Sequence, residues 1–334
     1  MTDTKQEREP VLTIAIPSYN RAGFLRALLE RLMSSTRDLP QVEVLVSDNA
    51  SSDATPQVCR DIAMTSRLVC FRNESNIGFD RNYLACIARA RGEYVWVLGD
   101  DDLPEPAVIE RVLHHIATAR PSMIVLNGAT PGGCRVPTIA GLASFDDFND
   151  FFARYGYHFT WISTTVLQRR ALASMTPDEL GRGRYFIHLA LQLKSFLPGG
   201  RFLMDFQVGV RSTDNVAEYQ KVSRQVVEIF AVALCGIVDM QGSSLDAAAG
   251  RRFLRQHHDR FGMFTVGFFL RLRADVVYGA REFMTLLARL RRVTPVWPAA
   301  LLVQFLPAAF SRTIVGLHAR LQQFRTRKPP SPQP

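Results

Sequence analysis

The stretch VWVLGDDD, residues Val95 to Asp102, decides the interpretation of this chain, because an apolar run ends abruptly in three adjacent carboxylates. A short run rich in Val and Trp and bounded by Gly predicts a buried strand. Buried unpaired carboxylates are costly or become neutral, so these acids are expected to face water, a cation or both. Oxygen ligands on a rigid strand end suit Mg²⁺ or Mn²⁺. The alternative is a solvated turn, or an N-cap for a helix that starts between Pro104 and Ala107.

The composition narrows the class of protein. Of the 334 residues, 47% are hydrophobic and 21% are charged, which is typical of a globular chain and excludes wholesale disorder. Residues 1–10 form a polar tail without the apolar segment of a secretory signal. The five cysteines are odd in number and show no metal or redox spacing, so reduced, mostly buried thiols in a cytoplasmic protein are expected.

The positive charge is concentrated at one end of the chain. Residues 251–334 contain fifteen Lys and Arg and three acids, a net charge of +12, and no acid follows Glu282. Because the whole chain carries +9, residues 1–250 sum to −3. The basic character therefore belongs to the C-terminal quarter alone.

Strand-like and helix-like periodicities alternate along the first part of the chain. The expected strands are Val11–Ile16, Val42–Val46, Leu68–Phe71, Tyr94–Leu98 and Met123–Asn127, and the expected helices between them include Thr55–Thr65, Arg81–Arg91 and Ala107–Ala119. This alternation predicts an α/β fold with a mostly parallel sheet and helices on both faces. A helix over Tyr185–Phe196 and a strand over Arg201–Val210 are expected later, and from Ala217 the pattern is helical nearly to the end.

Polar loops follow each of the first four predicted strands. They are Pro17–Asn20, Ser47–Asp53, Asn73–Gly78 and the acidic triplet. Asn, Asp, Ser and Gly are ordinary turn residues, so each loop alone has a simple structural explanation. Ligands of open parallel sheets bind beyond the carboxyl ends of the strands, and four polar loops at that edge predict one continuous crevice.

The order of these motifs resembles the family 2 glycosyltransferases of the GT-A type. The motifs are Ile16-Pro17-Ser18-Tyr19-Asn20-Arg21, Val46 to Asp53, Asn76-Ile77-Gly78 leading to Arg81-Asn82, and Asp100 to Asp102. The similarity covers residues 10–130 well and extends loosely to about residue 215. Within the family, the chain looks like the bacterial abequosyltransferase-like enzymes of surface-polysaccharide synthesis.

The resemblance implies a GT-A, Rossmann-like fold and a nucleotide-diphosphosugar donor. Residues 11–130 would be the nucleotide-sugar half and 131–215 the acceptor half of the catalytic domain. The residues implied to line the base and ribose pocket are Pro17, Tyr19 and Asn20. Asp48 would contact a pyrimidine edge, with Asn49 and Asp53 shaping its turn, and the residues packing around the nucleotide would be Asn76, Gly78, Arg81 and Asn82. A carboxylate accepts from a pyrimidine N–H, and Gly permits close backbone approach.

The resemblance also implies an Asp-X-Asp metal motif. This chain has Gly99-Asp100-Asp101 at the matching positions, so the usual first Asp is absent. Asp101 matches the metal-binding position for Mn²⁺ or Mg²⁺, and Asp100 is its expected helper at the ribose or the ion. Asp102 is included among the candidate metal ligands, although its position favours capping of the next helix or support of the loop.

An inverting enzyme of this type requires a base that takes the proton of the acceptor hydroxyl. The family places a Glu-Asp pair where this chain has Tyr185-Phe186-Ile187-His188-Leu189. His188 is therefore the candidate base, since its ordinary pKa of about 6.5 suits the task; a packing role is the alternative. The reserve carboxylates are Asp178, Glu179, Asp205 and Asp214. Aromatic residues that either stack on the acceptor or belong to the core are Trp161, Tyr155 and Tyr157.

The C-terminal region, residues 216–328, is expected to be helical, and residues 329–334 form a disordered tail. Val293 to Phe310 is apolar, but three prolines interrupt it and it is short for a membrane span. Ile314, Leu317, Leu321 and Phe324 recur at helical spacing among basic residues. This pattern indicates either a helix on an anionic membrane surface or one packed on the catalytic domain with a basic outer face.

We therefore expect an inverting glycosyltransferase that transfers a sugar to a lipid-linked glycan in bacterial surface-polysaccharide synthesis, of O-antigen or capsule type. The expected location is cytoplasmic, peripheral on the inner face of the membrane. The alternatives are a catalytically degenerate nucleotide-sugar-binding protein and a sugar nucleotidyltransferase, which would need a Gly-rich basic loop after the first strand. A nucleic-acid partner is not expected, because it leaves the acids unexplained and the interleaved aromatics of a stacking platform are missing.

Overall fold

The computed structural model of the protein describes residues 9–130, 133–134, 141–213, 223–261 and 263–326. The chain divides into two compact units. The first comprises Met1–Asn215 and Met240–Ala249, and the second comprises Val216–Asp239 and Gly250–Pro334. The predicted tail 329–334 and the reserve carboxylate Asp214 lie outside the described residues.

Four parallel strands form one half of the sheet in the first unit. They are β1 (Leu12–Ser18), β2 (Val42–Asp48), β3 (Val69–Arg72) and β4 (Tyr94–Val97). β1 pairs in parallel with both β2 and β4, and β2 pairs in parallel with β3. The register sets Ser18 beside Asp48, so the loops after β1 and β2 start side by side. The four strands fall within two residues of the predicted ones.

The rest of the sheet is mixed. Its strands are β5 (Asp102–Pro104), β6 (Met123–Thr130), β7 (Gly133–Cys134), β8 (Leu142–Phe145), β9 (Thr165–Gln168) and β10 (Phe202–Ser212). The main order is β3-β2-β1-β4-β9-β6-β10-β5. β9 lies antiparallel between β4 and β6, whereas β6 and β10 are parallel to each other and run in the same direction as β1 to β4. The predicted α/β fold with a mostly parallel sheet is confirmed.

Helices cover both faces of the sheet. The helices of the first 200 residues are α1 (Ala22–Thr36), α2 (Thr55–Ala63), α3 (Phe79–Arg89), α4 (Val108–Ala119), α5 (Phe148–Tyr155), α6 (Pro177–Arg182) and α7 (Ile187–Phe196). Apolar residues of α1, α2 and α4 pack in one core cluster with Ile14, Val44 and Trp96 of the strands. Side chains alternate across a strand, and α3 lies on the opposite face, where Asn82 bonds Ser47.

The helices after residue 222 are α8 (Ser223–Val227), α9 (Leu234–Met240), α10 (Ala247–Phe261), α11 (Val266–Ala274), α12 (Ala280–Val293), α13 (Trp297–Gln304) and α14 (Ala308–Thr326). A π-helical segment, Glu228–Ala233, joins α8 to α9. Over the described residues, none of the helices combines the length and the apolar character needed to cross a bilayer.

Candidate functional site

The loops that follow β1 to β4 meet at the carboxyl edge of the sheet, as the sequence predicts. Backbone hydrogen bonds join neighbouring strand ends, with the Asn49 amide donating to the Ser18 carbonyl over 2.9 Å and the Asn73 amide to the Asp48 carbonyl over 2.9 Å. A cavity of about 520 Å³ opens at this edge. The polar residues that line it are Asn20, Arg21, Asp53, Asp100, Asp101 and Thr213, and the apolar ones include Phe24 and Leu103.

The loop after β1 is locked to the loop after β2. Asn20 adopts a left-handed backbone conformation with φ of 54°. Its amide donates to Ser51 Oγ over 2.9 Å, and its Oδ1 accepts from the Ser52 amide over 2.7 Å. Asp53 closes the pair by accepting from the Ala22 amide over 3.0 Å. Tyr19 is 44% exposed beside this joint, whereas Pro17 is buried within β1, where it cannot offer a face to a ligand.

Asp48 is buried at the end of β2 and is already well bonded. Its Oδ2 accepts from the Arg72 guanidinium, and its Oδ1 accepts from the Ser51 amide over 2.9 Å. The same guanidinium donates to the Ser51 carbonyl over 2.9 Å. Asp48 and Arg72 therefore hold the loop after β2 in shape. A carboxylate has about four acceptor positions, so a further donor can still bind.

A network of amide side chains connects the loops after β2 and β3. Asn49 Nδ2 donates to Asn76 Oδ1 over 2.9 Å, and Asn49 Oδ1 accepts from Asn73 and from the Ile77 amide, each over 3.0 Å. Asn82 is 2% exposed and bonds Ser47 with both its oxygen and its nitrogen. Gly78 begins α3 with φ of +80°, a conformation that favours glycine. The hydrogen bonds of this network thus hold the loops after β2 and β3 together at Asn49, Asn76, Gly78 and Asn82. Arg81 lies exposed on α3.

Three adjacent acids lie in three different environments. Asp100 is 8% exposed, and its Oδ2 accepts from Ser18 Oγ over 2.7 Å. Burial raises the pKa of Asp100 to about 7; the hydroxyl of Ser18 and the charge of Arg21 oppose the rise, and Asp101 and Asp102 add to it. Burial thus favours the neutral, protonated form of the Asp100 carboxyl.

Asp101 faces the cavity and pairs with a cation from the loop after β1. Arg21 Nη1 donates to Asp101 Oδ2 over 2.7 Å, and the two side chains are 34% and 30% exposed. A pair at this exposure is screened by water and contributes little to stability. It does place one positive and one negative group on the wall of the same cavity.

Asp102 points away from the cavity and supports the loop. It is 5% exposed, and its Oδ2 accepts from Trp161 Nε1 over 2.6 Å and from Ser163 Oγ. Ser163 Oγ in turn accepts from the Gly99 amide over 2.9 Å. The prediction that Asp102 binds metal is therefore corrected, because its carboxylate is occupied inside the protein. The loop-supporting alternative is right, whereas α4 begins at Val108 without a side-chain cap.

The same contacts crowd the position of Gly99. A Cβ at Gly99 would lie 3.0 Å from Asp102 Oδ2 and 3.3 Å from Ser163 Oγ. These contacts are tighter than most Cβ contacts, so a side chain at position 99 requires the Asp102 and Ser163 side chains to shift by a few tenths of an ångström.

The carboxylates that remain fit a metal ion held jointly with a ligand. Within the described ranges, His, Cys, Asp and Glu nowhere form a group of three or more arranged to hold an ion. Mg²⁺ commonly takes one or two protein carboxylates and completes its shell with water and substrate phosphates. Asp101, with Asp100 beside it in the cavity wall, matches that requirement.

His188 does not reach the site. It is 2% exposed on α7, with the rings of Tyr83 and Phe186 at centroid distances of 5.8 and 5.7 Å. Burial lowers the pKa of His188 to about 4, although the backbone carbonyls of Thr160 and Phe159 favour the charged form. The prediction that His188 is the acceptor base is therefore corrected: it is a neutral packing residue of the interior.

The reserve carboxylates that the structure describes have structural partners. Arg182 pairs with Asp178, Lys194 lies 2.7 Å from Glu179, and Arg111 lies 2.8 Å from the buried Asp205. The hydrogen bond from Lys194 lowers the pKa of Glu179 to about 2. Tyr157 is fully buried, which supports the core alternative for that residue. Trp161 packs over Gly128, where a Cβ would lie 2.2 Å from its ring.

A comparison with known protein families gives a match that lies within the first unit. The family model described as Glycosyl transferase family 2 matches residues 13–175. These residues form a family 2 glycosyltransferase domain. The glycosyltransferase domain contains β1 to β4, their four loops, and the Trp161–Ser163 support of the acidic loop.

Relatives and solved structures agree with this assignment. Abequosyltransferase RfbV of Salmonella typhimurium is 35% identical over 95 residues, which are 28% of this chain and 28% of that protein. Putative glycosyltransferase EpsH of Bacillus subtilis is 30% identical over 106 residues, or 31% of this chain and 30% of that protein. The matched stretches thus span less than a third of either relative.

Two solved structures share the fold. TarS 1-349 of S. aureus in complex with UDP-GlcNAc has a TM-score of 0.58 at 16% identity, over 92% of this chain and 91% of that one. Mannosyltransferase PcManGT of Pyrobaculum calidifontis, in complex with GDP-Man and Mn2+, has a TM-score of 0.53 at 16% identity, over 94% and 85%. The predicted GT-A fold is confirmed.

Several residues of the site were absent from the sequence-based set. Arg21 and Ser18 lie inside a quoted motif, so their positions at the strand end were a usable signal. Arg72 is the last residue of β3, and in the sequence only its charge suggests that it belongs to the site. The sequence suggests acceptor-side or core roles for Trp161 and Ser163, but it does not reveal that both donate to Asp102, because that contact depends on the tertiary fold.

Proposed function

We propose that this protein is a glycosyltransferase that uses a nucleoside-diphosphate sugar, with a pyrimidine base, and inverts the anomeric centre. The proposed acceptor is a lipid-linked glycan of a bacterial surface polysaccharide, and the proposed place of action is the inner membrane surface. The observation that carries the proposal is the cavity at the carboxyl edge of β1 to β4, where Asp100, Asp101 and Arg21 share one wall. The abequosyltransferase relative supports a glycan product, and the UDP-GlcNAc and GDP-Man complexes of structural neighbours support a nucleoside-diphosphate sugar as the donor class.

Different residues of the loops are assigned to different parts of the donor. We assign the base and ribose to Tyr19, Asn20 and Asp48, held by the locked loops after β1 and β2. Asn49 and Asn76 hold the neighbouring loop in place through their amide pair. The diphosphate would lie along the cavity wall, where the Arg21 guanidinium can donate to phosphate oxygens.

Asp101 would hold Mn²⁺ or Mg²⁺ with the phosphates of the donor, and Asp100 would assist. When bound, the ion supplies a Lewis acid that stabilises the departing nucleoside diphosphate. The chain's own contribution is to place Asp101 on a loop fixed from behind by Asp102, Trp161 and Ser163. Arg21 contributes a second positive charge toward the same leaving group.

Transfer is tested with purified protein, a panel of nucleotide sugars and lipid extract from a polysaccharide-producing bacterium. We expect release of nucleoside diphosphate from one donor, dependent on the extract and lost in Asp101→Asn. A degenerate binding protein is the second candidate, favoured by the burial of His188. Binding of a donor without release in the presence of every acceptor would select it.

A further inference from the structure

The second unit exposes a group of large apolar side chains at one turn. Leu302 is 71%, Phe305 68% and Phe310 53% exposed, and all three lie at or next to the junction of α13 and α14. Leu317, further along α14, is 59% exposed. Single exposed apolar residues are common on proteins, but several at one turn indicate a contact surface. We call residues 302–310 the α13–α14 turn.

The turn is held firmly, so these side chains are not exposed through local unfolding. Ala300, Val303 and Gln304 are buried on the inner face of α13, and Ser311 is buried at the start of α14. Arg273 Nε donates to the Leu306 carbonyl over 2.6 Å, and Arg312 Nη1 donates to the Ala274 carbonyl over 3.1 Å. Two links to α11 therefore fix the turn while its apolar side chains project outward.

The charge around the turn indicates what it contacts. The sequence has no acid after Glu282, while Arg312 and Arg320 lie exposed on α14. Apolar side chains beside basic ones match the interface of an anionic bilayer, where the apolar groups enter the acyl boundary and the cations meet the headgroups. Because the described helices do not cross a bilayer, such contact would be peripheral.

We propose that the α13–α14 turn is a membrane-docking wedge that inserts Leu302, Phe305 and Phe310 into an anionic lipid surface. This deepens the proposed function, on which it rests, because a lipid-linked acceptor is presented at such a surface. It differs from the stripe expected from the sequence: Ile314 is half-buried, and the side chains of Leu321 and Phe324 lie outside the described part.

Vesicle flotation tests the wedge with the full chain. Vesicles of equimolar phosphatidylglycerol and phosphatidylcholine are compared with phosphatidylcholine alone, using wild type and the triple variant Leu302→Ser, Phe305→Ser, Phe310→Ser. We expect wild type to float with the anionic vesicles and the triple variant to partition about a hundredfold less. Arg320→Gln should lower partitioning about fivefold. Met284→Gln, which replaces a 48% exposed residue on α12, should have no effect.

Three outcomes overturn the wedge. The wedge is wrong if the wild type floats with neither kind of vesicle. It is also wrong if the triple variant floats like the wild type. A wild type that is dimeric without lipid and becomes monomeric in the triple variant assigns the surface to a second copy instead. Thermal shift with nucleoside diphosphates, measured without vesicles, tests the proposed function independently of membrane binding. Flotation without any nucleotide shift would refute the function and leave the wedge intact.

Discussion

The hydrogen bonds of Asp102 predict how firmly the acidic loop is held. One buried carboxylate oxygen accepts from Trp161 and from Ser163, and Ser163 accepts from the Gly99 amide. Hydrogen bonds to a charged group contribute about 1.5–3 kcal/mol each, so Asp102→Ala should lower the local opening free energy by about 3 kcal/mol. That loss corresponds to roughly a hundredfold faster amide exchange.

Hydrogen exchange of the Gly99 amide and the Trp161 indole measures this opening directly. Asp102→Asn keeps an acceptor oxygen and should accelerate exchange only about tenfold. Asp101→Asn is the matched control on the same loop, because its pair with Arg21 is about one-third exposed and contributes at most about 1 kcal/mol. Exchange in Asp102→Ala within twofold of wild type (about 0.4 kcal/mol) would refute the reasoning.

Two further predictions follow from burial. Burial raises the pKa of Asp100 in the folded protein to about 7 from an ordinary value of 3.8, so its contribution to stability is present below about pH 3.8 and is lost as pH rises through 7. Asp100→Asn should therefore stabilise the protein at pH 8, by about 2–4 kcal/mol, and not at pH 4; an equal difference in unfolding midpoint at both pH values would contradict this. His188→Ala should cost about 2–4 kcal/mol through the cavity it leaves, whereas His188→Leu should keep turnover; a normal unfolding midpoint with lost turnover would restore His188 as the base.

The parts of the site that the sequence predicts are those that depend on local pattern. The strands β1 to β4 follow from short apolar runs, and their polar loops follow from turn residues directly after them. Parallel pairing then brings the loops to one edge, so the loops that carry Asn20, Asp48, Asn49 and Asp101 are expected to lie together. Their bonding partners within the loops were not predictable in detail.

The predicted residue roles that fail are those that depend on long-range packing. His188 lies on a helix in which every residue from Ile187 to Leu193 is buried, and a single residue type at a matching position does not reveal that. Adjacent acids look alike in sequence, so the pattern alone does not separate the environment of Asp102 from those of Asp100 and Asp101. Their separation depends on the segment that leads into the antiparallel strand β9, because Trp161 and Ser163 of that segment donate to Asp102.

A thermal-shift comparison of wild type and Asp101→Ala with UDP, CDP, GDP and dTDP, with and without Mn²⁺, tests the central claim most directly. A ligand that binds only the folded state at a hundredfold excess over its Kd stabilises it by about 2.7 kcal/mol. We predict that wild type shifts with one pyrimidine diphosphate in the presence of Mn²⁺ and that the mutant does not. If no nucleotide shifts the wild type, or if the mutant shifts equally, the proposed donor site is wrong.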